Sequence, residues 1–243
     1  MLIRIIRRIV FKLPFCQHVY SSVQRWRALR EHQRDMKTLQ THGRDLLRLV
    51  HEKCHGRIPY FIDFGTLLGC IRENSFLKHD DDIDIGLMPS ANLADLIKAF
   101  EGTELKYFGG YVYAGKVMEI GYKFKKMRVD FFLYVTDGEF SYWDSYYDAP
   151  GVKYQNNETG CHRSARPLIK GIETIDFNGV AVDVPTNSEE LLQAHYGEGW
   201  KKPDLSWHEA DSSGKYGCKL MPGTCRFSVP KEELLAILEG CKR

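Results

Sequence analysis

The segment YFIDFGTLLGCIRENSFLKHDDDIDIGL, residues 60–87, ends in the densest acidic run of the chain, with aspartates at positions 80, 81, 82 and 84. Because side chains alternate along a strand, Asp82 and Asp84 would share one face and Ile83 and Ile85 the other. An acidic run is more often a solvated loop, but the alternating isoleucines are typical of a buried strand. The pattern therefore predicts a strand that carries carboxylates on one face.

Two carboxylates on the same face of a sheet repel each other unless a positive charge lies between them. Mg²⁺ prefers oxygen ligands and is commonly held by one or two carboxylates together with substrate phosphates, and Mn²⁺ accepts the same ligand types. We therefore expect Asp82 and Asp84 to bind Mg²⁺ or Mn²⁺.

The beginning of the segment predicts a phosphate site. The apolar run at 60–64 leads into Gly65-Thr66, which would open a short helix whose first N–H groups face the acidic strand. Gly65, Gly69 and Arg72 lie on one helix face at spacings i, i+4 and i+7, so that face offers bare backbone and a guanidinium. Gly65, Thr66 and Arg72 are the candidate phosphate-binding residues.

These motifs resemble the signature of the LicD family, which is itself similar to fukutin and the fukutin-related protein and belongs to the nucleotidyltransferase-fold superfamily. The matching positions are Gly65-Thr66-Leu67-Leu68-Gly69, Arg72, Phe76 and the run 80–85. A looser similarity extends over residues 45–205, and Lys78-His79 stands where family members often carry Pro-Trp. The resemblance implies an α/β (α+β) fold, in which a mixed, mostly antiparallel sheet is flanked by helices.

The resemblance also implies a third carboxylate on a later strand, and Asp130 in the alternating segment RVDFFLYV matches it. In the family, Asp82, Asp84 and Asp130 would be the catalytic and metal-binding residues. The implied reaction is metal-dependent transfer of a phospho-alcohol from a CDP-alcohol to a glycan hydroxyl, as in modification of cell-surface polysaccharide or lipopolysaccharide. LicD relatives transfer phosphocholine, and the fukutin group transfers ribitol phosphate.

Two alternatives remain open at this point. The same fold could attack the α-phosphate of a nucleoside triphosphate, which would release pyrophosphate instead of CMP. A non-catalytic membrane-surface adaptor is the other alternative, although the three carboxylates, Gly65-Thr66 and Arg72 are all present.

Charge is unevenly distributed along the 243 residues. Residues 1–57 contain 13 Lys and Arg against 4 Asp and Glu, whereas residues 58–243 carry a net charge of −7. We therefore expect a basic helical arm at 1–57 and a catalytic domain at 58–243.

Residues 1–13, MLIRIIRRIVFKL, form a basic amphipathic pattern that predicts binding to an anionic membrane. Binding to nucleic acid is not expected. Packing of this helix on the protein or on a partner is the alternative.

The seven cysteines form no C-x-x-C pair, which is typical of reduced thiols in a cytosolic protein. Together with the arm, this predicts a cytoplasmic protein that is peripheral on the inner face of the membrane.

A long helix is expected from about Ser22 to His55, after a break at Pro14. Its end contains His51-Glu52-Lys53-Cys54-His55, a formal H-E-x-x-H zinc motif, but no third-ligand motif follows it, so chance occurrence is the favoured interpretation.

Two later segments also carry structural signals. Residues 137–170, a segment rich in aromatic side chains, are expected to be loop-like. Asn178-Gly179 predicts the two-residue turn of a β-hairpin spanning about 172–184, because both positions tolerate a positive φ.

Overall fold

In the computed structural model, residues 14–147, 152–204, 206–207 and 217–240 are described, with the backbone alone for residues 14–21. The predicted amphipathic segment 1–13 lies outside these residues, and its membrane binding stays a prediction.

The main sheet has nine strands in the order β1-β2-β5-β4-β3-β11-β8-β7-β6, and a separate hairpin pairs β9 with β10. The strands are β1 (Tyr60–Ile62), β2 (Asp82–Leu87), β3 (Lys106–Tyr113), β4 (Lys116–Phe124), β5 (Met127–Leu133), β6 (Val135–Asp137), β7 (Phe140–Tyr147), β8 (Glu158–Pro167), β9 (Ile172–Asp176), β10 (Ala181–Pro185) and β11 (Cys218–Val229). Among the described strand pairs, β2 and β5 are parallel, and every other pair is antiparallel. The expected mixed, mostly antiparallel sheet is confirmed.

In the described residues, five helices accompany the sheet: α1 (Pro14–Cys54), α2 (Phe64–Glu73), α3 (Leu93–Ala99), α4 (Ser188–Tyr196) and α5 (Lys231–Gly240). The prediction that the long helix begins near Ser22 is wrong, because α1 already begins at Pro14. Proline is accepted at the first helical position, where its missing N–H would have no partner in any case.

The second half of α1 packs into the same core as the strands. Five of its side chains are fully buried: Leu39, Leu46, Leu47, Val50 and Cys54. They join the apolar face of β2, where Ile83, Ile85 and Leu87 are also fully buried. The end of the helix is thus held against the sheet, while the division of the chain at residue 57 stays a prediction.

The loop predicted at 137–170 is wrong, because β7 and β8 pair there and extend the sheet. Their polar and aromatic composition shows no apolar alternation, and the strands are stabilised instead by pairing with each other and with β11. The predicted hairpin is confirmed: Asn178 and Gly179 have φ values of 50° and 85° between β9 and β10.

Of the helices in the described part of the chain, none combines the length and the apolar character needed to cross a membrane. The five cysteines whose placement is described are free thiols, and four of them are buried.

Candidate active site

The parallel pairing of β2 with β5 brings three aspartates together. In this register Asp84 lies opposite Asp130, and Asp82 lies opposite Arg128. One carboxylate oxygen from each of Asp82, Asp84 and Asp130 lies within 4.8 Å of the other two. The structure therefore assembles the predicted carboxylates on one face of the sheet, although β5, which carries Asp130, is distant in sequence from β2, which carries the other two.

A fourth carboxylate, which the sequence analysis missed, belongs to the same face. Glu119 on β4 is 1% exposed, and the antiparallel register places it opposite Phe132 on β5. Arg128 approaches both acids, with Nη2 3.0 Å from Asp130 Oδ2 and 3.6 Å from Glu119 Oε1. An available signal was the sequence VMEIG, in which a single acid interrupts an apolar strand.

Burial makes the carboxylates of this face difficult to ionise. It raises the pKa of Asp82 to about 6, with further contributions from Asp130 and Asp81. The pKa of Asp84 is raised well above its usual value, first by burial and then by the charges of Asp82 and Asp130. Burial likewise raises the pKa of Glu119, and it raises that of Asp130 against the opposing effect of Arg128. If all four carboxyl groups were ionised, the cluster would carry more negative charge than Arg128 neutralises.

The cluster lines a cavity of about 410 Å³. Aromatic side chains form much of the remaining wall: Phe64, Phe132, Trp143, Tyr146, His195, Tyr196 and Trp207. His195 is buried, and its pKa is lowered to about 4 by burial and by the nearby Arg166, so the ring is neutral at physiological pH. An anionic floor and aromatic walls can enclose a charged group while limiting its contact with water.

Gly65 and Thr66 lie at the predicted beginning of α2, but they have different surroundings. Gly65 lines the cavity, and a Cβ at this position would come within 2.7 Å of Asp80 Oδ2, so glycine permits the close approach of Asp80. Burial raises the pKa of this Asp80 to about 7. Thr66 is buried, and its hydroxyl accepts a hydrogen bond from the Asp84 N–H at 3.2 Å. Thr66 thus ties α2 to the acidic strand and does not line the cavity.

A buried ion pair, also absent from the sequence analysis, anchors the beginning of α2. Asp63 caps the helix by accepting from the Phe64 N–H. Both Asp63 carboxylate oxygens accept hydrogen bonds of 2.8 Å from Arg166, and Tyr134 donates to the same carboxylate at 2.6 Å. Separating the two members of a buried pair would leave an uncompensated charge, which is strongly unfavourable. The Asp63–Arg166 pair therefore holds the helix terminus in place beside the acidic face.

Arg72 does not reach the acidic cavity. It lines a second cavity of about 600 Å³, which shares Gly65, Asp80, Tyr196 and Trp207 with the first. Its guanidinium donates to Glu73 Oε1 and, from Nη1, to the Trp200 carbonyl at 3.2 Å. The structure therefore separates Arg72 from the three aspartates but places it in an adjoining space.

The donor set of the acidic face suits a hard divalent cation. Asp130 Oδ1 and both oxygens of Glu119 have no hydrogen-bond partner among the described residues, although they are buried. Buried carboxylate oxygens are costly without a partner, and an oxygen-rich set is the kind that Mg²⁺ and Mn²⁺ prefer.

The mixed sheet, with carboxylates on its parallel strand pair and a helix terminus beside them, defines a nucleotidyltransferase-like α/β domain. Residues 57–187 match the sequence model of the family described as LicD/FKTN/FKRP, nucleotidyltransferase domain. The chain belongs to this family.

Among individual proteins, the chain is similar to human ribitol-5-phosphate transferase FKTN, with 26% identity over 155 residues that cover 62% of this chain and 31% of that protein. The mouse protein of the same name is 23% identical over 177 residues, 71% of this chain and 36% of its own. An uncharacterized protein of Rickettsia typhi is 29% identical over 121 residues, 46% of this chain and 39% of its own. The chain thus spans about a third of the length of these relatives.

Proposed function

We propose that this protein is a LicD-type phosphotransferase that moves a phospho-alcohol from a CDP-alcohol donor to a hydroxyl group of a glycan. The observation that carries the proposal is the convergence of Asp82, Asp84 and Asp130, within 4.8 Å of one another, in a chain of this family. Fukutin, to which the chain is similar, is named a ribitol-5-phosphate transferase, which supports a phospho-alcohol as the transferred group.

In this proposal Asp82, Asp84 and Asp130 hold Mg²⁺ or Mn²⁺. The bound ion would supply Lewis-acid stabilisation of the negative charge that develops on the donor phosphates. The three carboxylates need to be ionised to bind it, so their raised pKa values would make binding depend on pH, and binding would release any protons that they still carry.

The carboxylates also provide a base for the acceptor. A buried carboxylate with a raised pKa can take a proton from a hydroxyl group at neutral pH more readily than an exposed one. We assign this role to Asp130, because Arg128 pairs with Oδ2, and Oδ1, which has no hydrogen-bond partner among the described residues, offers two lone pairs, one for the ion and one for the proton. The proton would pass from the acceptor hydroxyl to this oxygen as the hydroxyl attacks phosphorus and CMP leaves.

Gly65 and Arg72 would act on the donor, whereas Thr66 would act only by holding Asp84. Gly65 would let a phosphate approach the beginning of α2, where backbone N–H groups and the helix dipole favour an anion. Arg72 would bind the donor from the second cavity, which adjoins the acidic one through Gly65 and Asp80. The aromatic walls would restrict water, which competes with the glycan hydroxyl for the same phosphorus.

We also propose that the acceptor is a glycan on a lipid carrier, modified at the cytoplasmic face of a membrane during assembly of surface polysaccharide or lipopolysaccharide. The support is the basic amphipathic pattern of residues 1–13.

The test is to incubate the full chain with Mg²⁺ and a panel of CDP-alcohols, including CDP-choline and CDP-ribitol, and to measure release of CMP. The expected result is metal-dependent CMP release with one donor, abolished in the Asp84→Asn variant. Pyrophosphate release from a nucleoside triphosphate, with no CMP from any donor, would instead identify a nucleotidyltransferase and contradict the proposal.

A further inference from the structure

A second cluster of metal-ligand side chains lies away from the acidic cavity, where the end of α1 meets the β9–β10 hairpin. His51 and His55 occupy positions i and i+4 on the helix, and Asp183 on β10 approaches them from 128 residues further along the chain. One ligand atom from each of the three lies within 4.8 Å of the other two. The sequence motif at 51–55 therefore has a third partner, which its spacing alone does not reveal.

The separations of these atoms suit a tetrahedral ion. His55 Nδ1 is 2.9 Å from Asp183 Oδ2, and His51 Nδ1 is 3.7 Å from Asp183 Oδ1. Two atoms that bind zinc at 2.0–2.1 Å with a tetrahedral angle lie about 3.3 Å apart. Both histidine–carboxylate separations therefore differ from this value by only about 0.4 Å.

A neighbouring hydroxyl group already orients the carboxylate. Thr174 on β9 donates to Asp183 Oδ1 at 2.7 Å, and such supporting contacts fix ligand orientation in metal sites. The Tyr60 hydroxyl lies 2.9 Å from His51 Nδ1 and would give up this contact when that nitrogen binds zinc. An ion can reach the cluster from solvent past His55, whose side chain is 53% exposed. The Asp183 side chain lies deeper and is 8% exposed.

We propose that His51, His55 and Asp183 form a Zn²⁺ site that fastens the end of α1 to the β9–β10 hairpin, with water as the fourth ligand. Two imidazoles and a carboxylate favour zinc over Mg²⁺, which prefers the all-oxygen set of the acidic face. The hairpin leads into α4, which carries His195 and Tyr196 in the wall of the acidic cavity, so the ion would stabilise the support of that wall. The site does not depend on the proposed transferase activity.

The test measures zinc binding to the full chain by equilibrium dialysis, in millimolar Mg²⁺ and in the Asp84→Asn background, so that the acidic face does not contribute. The expected result is one zinc ion per chain. Asp183→Asn and His55→Gln should each weaken binding by about tenfold or more, since even loss of a supporting contact costs 10–100-fold in affinity. His42→Gln, on the same helix nine residues before His51, is the matched control and should bind zinc as the background protein does.

Two further measurements separate a metal site from a simple hydrogen-bonded cluster. Zn²⁺ should raise the midpoint of thermal unfolding of the background protein and the His42→Gln control, but not that of His55→Gln. Co²⁺ should give the visible absorption bands of a tetrahedral site, which Zn²⁺ then removes. His55→Gln should fold, as its side chain is half exposed, and circular dichroism checks this. Absence of bound zinc in the background protein, or equal binding by a folded His55→Gln, would overturn the proposal.

Discussion

At the scale of single residues, Asp84 faces two like charges. Burial and the carboxylates of Asp82 and Asp130 raise its pKa, so the ionised form is destabilised in the folded protein. The arrangement therefore costs folding free energy when no cation is bound. Stability and function make opposite demands on this side chain, as is common at functional sites.

Asp84→Asn should consequently increase the stability of the metal-free protein while abolishing turnover. Asparagine keeps the shape of the side chain and removes one of the mutually repelling charges. Denaturation by urea at pH 8 in EDTA, with wild type and Asp144→Asn as references, measures the change. Asp144 pairs with Arg163 on the neighbouring strand, so its replacement should destabilise the protein instead. A metal-free Asp84→Asn protein less stable than wild type would contradict this argument.

Arg72→Lys tests whether the shape of the guanidinium matters as well as its charge. A lysine ammonium cannot bind Glu73, the Trp200 carbonyl and a donor phosphate through one planar group. We expect kcat/KM for CMP release to fall about tenfold or more, since a charge-assisted hydrogen bond contributes about 1.5–3 kcal/mol. Arg48→Lys, at an exposed pair within α1, is the control. Unchanged kinetics in Arg72→Lys would assign Arg72 a structural role.

At the scale of secondary structure, α2 and β2 form one unit that presents the acidic face. The Thr66 hydroxyl accepts from the Asp84 N–H, and the Asp63 N–H donates to the Asp84 carbonyl at 3.0 Å. Both backbone groups of Asp84 are therefore held by the segment that begins α2. A small displacement of this helix would move the carboxylate at the centre of the cluster.

Thr66→Val should therefore affect both stability and catalysis. Valine has the shape of threonine but leaves the part-buried Asp84 N–H without its acceptor, at a cost of up to about 1–3 kcal/mol. Unfolding by urea should show this loss, and kcat should fall because the carboxylate is less firmly placed. Thr66→Ser retains the hydroxyl and is the control; if it loses as much activity as Thr66→Val, the hydrogen bond is not the cause.

The sequence predicts these elements where the pattern is local. The apolar alternation of DIDIGL and RVDFFL identified β2 and β5, and with them the faces that carry Asp82, Asp84 and Asp130. The direct opposition of Asp84 and Asp130 depends on a parallel register between distant strands, which no local spacing encodes. The pairs Asp63–Arg166 and His55–Asp183, separated by 103 and 128 residues, were missed for the same reason.

At the scale of the whole molecule, the buried carboxylates link stability to pH. The pKa values of Asp82 and Asp80, raised to about 6 and about 7, exceed the value of about 3.9 for an unfolded aspartate. Between about pH 4 and pH 7 the folded state therefore binds more protons than the unfolded state, and this contribution to stability decreases as pH rises.

The measurable consequence is a pH-dependent difference between wild type and the Asp82→Asn, Asp84→Asn double variant. In EDTA, the double variant should gain stability relative to wild type as pH rises from about 4 to about 7, because wild type loses there the proton bound by Asp82, a group that the variant lacks. Added Mg²⁺ should reduce this difference by stabilising wild type. Urea denaturation at several pH values measures it, and a difference that does not change with pH would show that these carboxylates titrate normally.

Membrane attachment is also a property of the whole chain, and it concerns residues 1–13. Arg4, Arg7, Arg8 and Lys12 lie on one side of the predicted helix, and each contributes about 1 kcal/mol near an anionic surface. Deletion of residues 1–13 should release the protein from anionic vesicles and reduce turnover of a lipid-linked acceptor. Hydrolysis of a soluble CDP-alcohol should stay nearly unchanged, because the acidic face and both cavities are formed by residues after Tyr60.

Co-sedimentation with anionic and with neutral vesicles, at low and at high salt, distinguishes the two interpretations of this segment. An electrostatic contribution predicts that the full chain sediments with anionic vesicles and that high salt weakens the association. Replacement of the four basic residues by glutamine keeps the apolar face and should weaken binding less than deletion does. Equal sedimentation of the deleted and full chains would show that residues 1–13 pack on the protein or on a partner instead of on a membrane.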